Sequence, residues 1–163
     1  VTVNVAEIVS LAGGEVVGKV RLQKMVYLLD QLGLASGYSY EYHHYGPFSQ
    51  ELAEQVEDEI AFGMLAPETR RRVRDGVPYI AYKSNQDSLE RPEVSDEIRR
   101  AMLLVQTASS TVLELAATIH WLIVAEKVSD WKLELKRRKG AKTQSGREDE
   151  AVLLLKKLNL AVV

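Results

Sequence analysis

Side chains able to hold a metal, move a proton or attack a carbonyl are few in this sequence, and their spacing does not suit those tasks. His43 and His44 are adjacent, so on a strand they project to opposite faces. His120 lies in an apolar segment with neither histidine nor carboxylate three or four residues away. Cysteine is absent, which removes thiolate ligands and thiolate nucleophiles together. The acidic group Glu54, Glu57, Asp58 and Glu59 falls on the expected outer face of a helix, the usual place for solvated carboxylates. Neither a Gly-x-Ser-x-Gly elbow nor a phosphate-cradling glycine loop occurs. The expectation is a non-enzymatic protein with no metal site and no cofactor.

Residues suited to binding are more conspicuous. Tyr38, Tyr40, Tyr42 and Tyr45 crowd into eight positions. Tyrosine joins a large apolar ring to a polar tip, a combination enriched at protein interfaces. One face of this ribbon is expected to be buried and the other offered to a partner. Arg21 and Lys24 stand near the start of a helix, where positive charge is disfavoured. They need either an internal acceptor or a partner's anion. The simpler account has Gln23 and Lys24 hydrogen-bonding the carbonyls of the Tyr45-Gly46-Pro47 turn. Arg70, Arg72 and Arg74 alternate along one arm of a hairpin, and Lys136, Arg137, Arg138 and Lys139 form a second basic run. Both could touch nucleic-acid phosphates, although arginines on an exposed edge also discourage sheets from stacking.

The elements that must position these residues can be read from periodicity and breakers. A short apolar stretch, Val5 to Leu11, is closed by Gly13-Gly14. Leu22, Met25 or Val26, Leu29 and Leu32 recur at helical steps from Lys19 to Leu32, with Gly33 as a stop. Tyr38 to Tyr45 alternates like a strand and is expected to end at Gly46-Pro47. Ser49 caps a helix reaching about Phe62, with Leu52, Val56 and Ile60 inward. Asp75-Gly76 predicts a two-residue type I′ hairpin pairing Arg74 with Val77, Arg72 with Tyr79 and Arg70 with Ala81. Val73, Ile80 and Tyr82 would then pack inward, and Pro78 argues for an edge ribbon. A polar connection covers Asn85 to Pro92. Ser95 opens a helix carrying Ile98, Met102 and Val105, and a break near Gln106 to Thr111 precedes a helix over Leu113 to Val124. Thr111 and Glu114 have capping-box spacing there. That helix is apolar on most sides and therefore central. Ser129 begins a helix ending in the basic run, Gly140 to Gly146 reads as a flexible loop, and Glu148 to Leu158 as a last amphipathic helix.

Six or seven helices with three short strands make a mainly α (α+β) fold, a compact helical domain with a small antiparallel ribbon. Its N-terminal half can be read as winged-helix-like. The 163 residues favour one domain over 1–163, with a motif-bearing half (19–84) and a helical half (95–158). Hydrophobic residues at 46% and charged residues at 27% suit a soluble globular chain. With 21 basic against 23 acidic residues the net charge is −2, so no global field draws the protein to nucleic acid or membrane. No apolar run is long enough to span a bilayer and no signal peptide opens the chain, so a cytoplasmic location is expected. The residues leave the oligomeric state open.

Two segments carry a family resemblance. Arg21-Leu22-Gln23-Lys24-Met25-Val26-Tyr27-Leu28-Leu29, followed by His44-Tyr45-Gly46-Pro47-Phe48-Ser49 and Glu51-Leu52, resembles the YwgA-like bacterial proteins. It is more distantly similar to the Panacea domain of SocA-type antitoxins, which pairs a Leu-Gln-Lys-Leu-Leu-Tyr helix with a Tyr-Gly-Pro turn. The resemblance implies a compact helical fold without a known cofactor, and no catalytic role for Leu22, Gln23, Lys24, Tyr27, Tyr45, Gly46 or Pro47. The Panacea likeness implies neutralisation of a toxin by protein contact. The expected function is thus a regulatory or adaptor domain that binds another protein, with a toxin as one such partner. Arg21, Lys24, Tyr27, Tyr38, Tyr40, Tyr42 and Tyr45 would form the surface, and Leu22, Gln23, Gly46 and Pro47 its frame. The alternative is a DNA-binding regulator using Arg70, Arg72, Arg74 and 136–139.

Overall fold

The computed structural model describes residues 3–85, 92–160 and 162. Seven α-helices, one 3₁₀ turn and five strands lie among them, giving the mainly helical α+β architecture expected. The order is α1 (Val5–Leu11), β1 (Glu15–Val17), α2 (Lys19–Asp30), β2 (Glu41–His43), β3 (Gly46–Phe48), α3 (Gln50–Ala61), β4 (Leu65–Arg71) and β5 (Pro78–Ser84). Then come α4 (Asp96–Thr107), α5 (Ser110–Val124), α6 (Trp131–Lys139), a 3₁₀ turn (Gly140–Thr143) and α7 (Arg147–Lys157). Within the polar connection, residues 86–91 lie outside the described residues.

The apolar helix α5 is the centre of the molecule. Ten of its side chains are buried, from Val112 through Leu122, and it packs on α2, α6, α7 and β3. One hydrophobic cluster runs from Val5 to Leu158 and takes in both halves of the chain. The break between α4 and α5 lies where the poor helix formers predict it, but Ser109 is the cap, accepting from the Val112 N–H at 3.1 Å. The Thr111–Glu114 capping box does not form, because Glu114 is turned into the interior. Likewise Asp130, not Ser129, caps α6. The expected flexible loop after α6 holds a 3₁₀ turn, pinned by Arg147 through the carbonyls of Ala141 and Lys142, both at 2.9 Å.

The β structure departs further from expectation. Three antiparallel strands stand in the order β1-β5-β4, so β5 is central and not an edge. Pro78 is tolerated because β1 pairs only with Ala81 to Lys83, leaving the proline flanked by β4 alone. The turn is not a two-residue type I′. Arg72 N–H donates to Val77 O at 3.0 Å and the loop is Val73 to Gly76. Gly76 has φ +70 while Asp75 does not enter the left-handed region that type I′ requires at both positions. The Asp75 carboxylate instead holds the loop, accepting from Val77 N–H and from Arg72 Nε, each at 3.1 Å. Pairing therefore shifts, placing Arg70 opposite Tyr79 and leaving Val73 fully exposed at the tip. Of the tyrosine ribbon, only 41–43 forms a strand. It pairs with 46–48, so Gly46-Pro47 starts the second strand and does not end the first.

Glu59 is the residue that the outer-face reading of the acidic group placed wrongly. It is 1% exposed and reaches the start of α1, where Val5 and Ala6 N–H groups donate to its two oxygens at 2.9 and 2.8 Å. Helix α1 is thus capped twice, locally by Asn4 and from α3 by a carboxylate at its positive end. Glu59→Ala should lower stability by about 2–4 kcal/mol, since two buried donors lose a charged acceptor. Glu57→Ala, on the exposed side of α3, should change it by less than about 0.5 kcal/mol. Urea unfolding of both variants decides; equal effects would contradict the clamp.

Candidate functional site

The two motif segments meet at a corner built from α2, β3 and the start of α3. Gln23, buried on α2, acts as a surrogate strand: its Nε2 donates to Ser49 O and its Oε1 accepts from Ser49 N–H, both at 2.9 Å. Lys24, 1% exposed, donates to Pro47 O at 2.5 Å. Ser49 then caps α3 through Leu52 N–H. Gly46 sits at φ +94 directly on α5, where a Cβ would stand 2.6 Å from Thr118 Oγ1. Glycine is required twice over, by backbone angle and by space.

A second layer of charge supports this corner. Glu114 on α5 pairs with Lys139 at 3.1 Å and Lys142 at 3.0 Å, and Lys139 also donates to His44 O at 3.3 Å. Carbonyls on both sides of the turn are therefore held by ammonium groups. Burial pushes the Lys24 amine down to about 8, opposed by Glu114 and reinforced by Lys139 and Lys142. The same desolvation lowers Lys139.

Of the expected tyrosine surface, Tyr27 is buried, Tyr38, Tyr40 and Tyr42 are half-buried and Tyr45 is exposed. The Tyr27 hydroxyl lies 2.7 Å from His120 Nδ1 and its ring is edge-on to Tyr40 at 5.1 Å. Tyr40 donates to Asp30 at 2.7 Å, and Tyr38 and Tyr40 pack against the core. Burial raises the phenol of Tyr38 to about 12 and those of Tyr27 and Tyr40 further. The half-buried Tyr42 lies under the Arg138 guanidinium at 4.6 Å. Tyr45 alone of these rings is exposed, with Lys142 over it at 4.9 Å. Lys24 and Tyr27 therefore offer a partner almost no surface in this conformation, while Arg21 is half-buried and reaches the carbonyls of Val105 and Gln106 on α4.

The basic residues expected at phosphates are mostly engaged with acids. Arg70 is paired with Glu15 and Glu68, and Arg72 with Asp75 at 2.8 Å. Arg74 stays exposed, 3.7 Å from Asp75. In the second run, Arg138 binds Glu126 and Glu134, Arg137 binds Glu134, and Lys139 is buried; Lys136 projects outward. Among the described residues no group of three or more His, Asp or Glu is arranged to hold a metal. His43 stacks on Phe48 at 4.7 Å.

The corner also builds a feature that sequence reasoning missed. Between α2 and α3 lies a groove of about 560 Å³, walled by Val20, Leu22, Phe48, Leu52 and Val56. Glu54, Glu57 and Asp58 stand on its rim, and Tyr45 also lines it. Leu52 and Val56 were readable as inward-facing, but nothing in their spacing says that the space above them stays open.

No family model matches the chain. A 52-residue stretch is 38% identical to the "Uncharacterized protein YwgA" of Bacillus subtilis (strain 168), covering 32% of this chain and 31% of the relative. The match thus spans about a third of each protein, and over that stretch the chain is YwgA-like. No helix among the described residues is long and apolar enough to cross a membrane.

Lys24 makes the corner sensitive to pH. Its folded value, about 8, lies below the ordinary 10.5, so between these the unfolded chain binds more protons. Stability should therefore climb from pH 8 until the tyrosines, raised in the folded state, reverse the trend above about pH 10. In Lys24→Met the climb should shrink measurably, leaving the part due to Lys139. Gly46→Ala should cost about 2 kcal/mol or more. Denaturant midpoints from pH 7 to 10 check both; an unchanged slope in Lys24→Met would refute the assignment.

Proposed function

We propose that this chain is a non-enzymatic regulatory or adaptor module that binds another protein by taking an apolar segment of it into the α2–α3 groove. The observation that carries the reading is the groove itself. Its volume is within the range of ligand-binding clefts, its walls are apolar, and Gln23, Lys24, Gly46 and Ser49 are spent on holding its flank in shape. We treat 1–163 as one domain, because one core runs through both halves. The likeness of the Leu-Gln-Lys and Tyr-Gly-Pro segments to the Panacea domain makes a toxin the first partner to test.

Apart from the β2–β3 ribbon inserted between α2 and α3, the order α1-β1-α2-α3-β4-β5, with β1 beside β5, resembles that of a winged helix. In that scaffold α3 would face a DNA groove. Here it exposes Glu51, Glu54, Glu57 and Asp58, which repel phosphate, and Arg70 and Arg72 are already paired. This charge pattern favours a protein partner over a duplex.

Ala53 is half-buried and lines the groove, so Ala53→Arg should fill it without unfolding the chain. Affinity capture from the native cell, followed by reconstitution with the purified partner, should show binding weakened at least about tenfold in this variant. Equal binding by the two proteins would overturn the groove reading.

A further inference from the structure

We propose that the cavity between β1, α2 and the end of α4 binds a small carboxylate bearing an adjacent hydrogen-bond donor, an α-amino or α-hydroxy acid, anchored by Arg21. This site is separate from the α2–α3 groove and does not depend on it. The cavity measures about 370 Å³ and is lined by Glu15, Val16, Val17, Arg21, Gln106 and Thr107.

The argument starts from a charge without a counter-charge. No described carboxylate lies within 4 Å of the Arg21 guanidinium; Glu15, across the cavity, is taken by Arg70. Arg21 reaches only the carbonyls of Val105 and Gln106, both through Nη1 and both at 3.5 Å, the outer limit for a hydrogen bond. Nε and Nη2 have no partner among the described residues. Those two donors form the fork that receives a carboxylate bidentately. Burial disfavours the charged guanidinium, and nothing nearby repays that cost.

Gln106 lines the same cavity. Its Oε1 is buried in this conformation and accepts no hydrogen bond, so a turn of the amide toward the cavity is what brings it a donor. A ligand that meets both requirements presents a carboxylate to Arg21 and an N–H or O–H to Gln106. The nearby carbonyls and the Glu15 carboxylate disfavour a dianion, which separates this chemistry from phosphate. Val16 and Val17 leave an apolar wall for a small aliphatic side chain.

The test is thermal unfolding of the full chain with 10 mM of one probe at a time: L-valine, 2-hydroxyisovalerate, isovalerate, L-valine methyl ester, inorganic phosphate and a capped aspartyl peptide. L-valine or its hydroxy analogue should raise the midpoint by about 3–6 °C, as expected for a ligand at roughly ten times its Kd. The ester and phosphate should do nothing. Arg21→Met should abolish the shift. Gln106→Leu, which keeps the arginine, should remove the preference for the amino or hydroxy acid over isovalerate. The proposal is overturned if no free acid shifts the midpoint, if Arg21→Met retains the shift, or if phosphate or the ester matches the acids. A larger shift with the aspartyl peptide would assign the carboxylate to a protein partner and equally overturn a small-molecule site.

Discussion

The structure turns on an ammonium group placed where solvent cannot reach it. Lys24 reaches Pro47 O from the middle of a buried helix face, between Leu22 and Met25, and fixes where the β2–β3 ribbon meets the helices. A buried charge is a poor source of stability, because desolvation offsets much of what its partners return. Its value here is directional. A methionine would fill the same volume but leave the Pro47 carbonyl without a donor, and the turn could then settle in several ways. Gln23 adds a second constraint one residue earlier, so consecutive positions on α2 specify both the height and the angle of the corner. Gly46 closes the arrangement by letting α5 come against the turn.

Much of this was legible in the residues themselves. The helical repeats of α2, α3, α4 and α7, the Ser49 and Ser95 caps and the central position of α5 follow from local periodicity and capping chemistry. The use of Lys24 on the Pro47 carbonyl follows from the awkwardness of a cation near a helix start, whereas Gln23 reaches past the expected turn to the backbone of Ser49. What could not be read locally depends on distant chain. Glu59 looks like its solvated neighbours until α1 arrives to donate to it. Strand β1 has too few residues to declare itself and exists because β5 offers it an edge. Asp75-Gly76 has the dipeptide of a tight turn, yet the Asp75 carboxylate holds a longer loop and moves the register by two positions. Aromatic density alone does not separate interface from core: Tyr27 shares a hydrogen bond with His120 of α5 and Tyr40 donates to Asp30 of α2, partners that lie on other elements.

Charge is sorted by position more than by amount. Basic side chains of the hairpin and of α6 are tied to Glu15, Glu68, Asp75, Glu126 and Glu134, whereas the outer face of α3 keeps its carboxylates unpaired by lysine or arginine among the described residues. A near-neutral molecule thereby shows one distinctly acidic helix face, and that face borders the apolar groove between α2 and α3. Long-range attraction for a positively charged polypeptide and short-range burial of its apolar residues would act at the same place.

The clamp between Glu59 and the first helix bears on how the chain is made. Residues 5 and 6 are separated from their carboxylate by 54 and 53 positions, and β1 pairs with residues later still. During synthesis α1 leaves the ribosome before α3, and β1 before β5, so neither has its tether when it emerges. Each must wait for chain made some fifty or more positions later before it can be held in place.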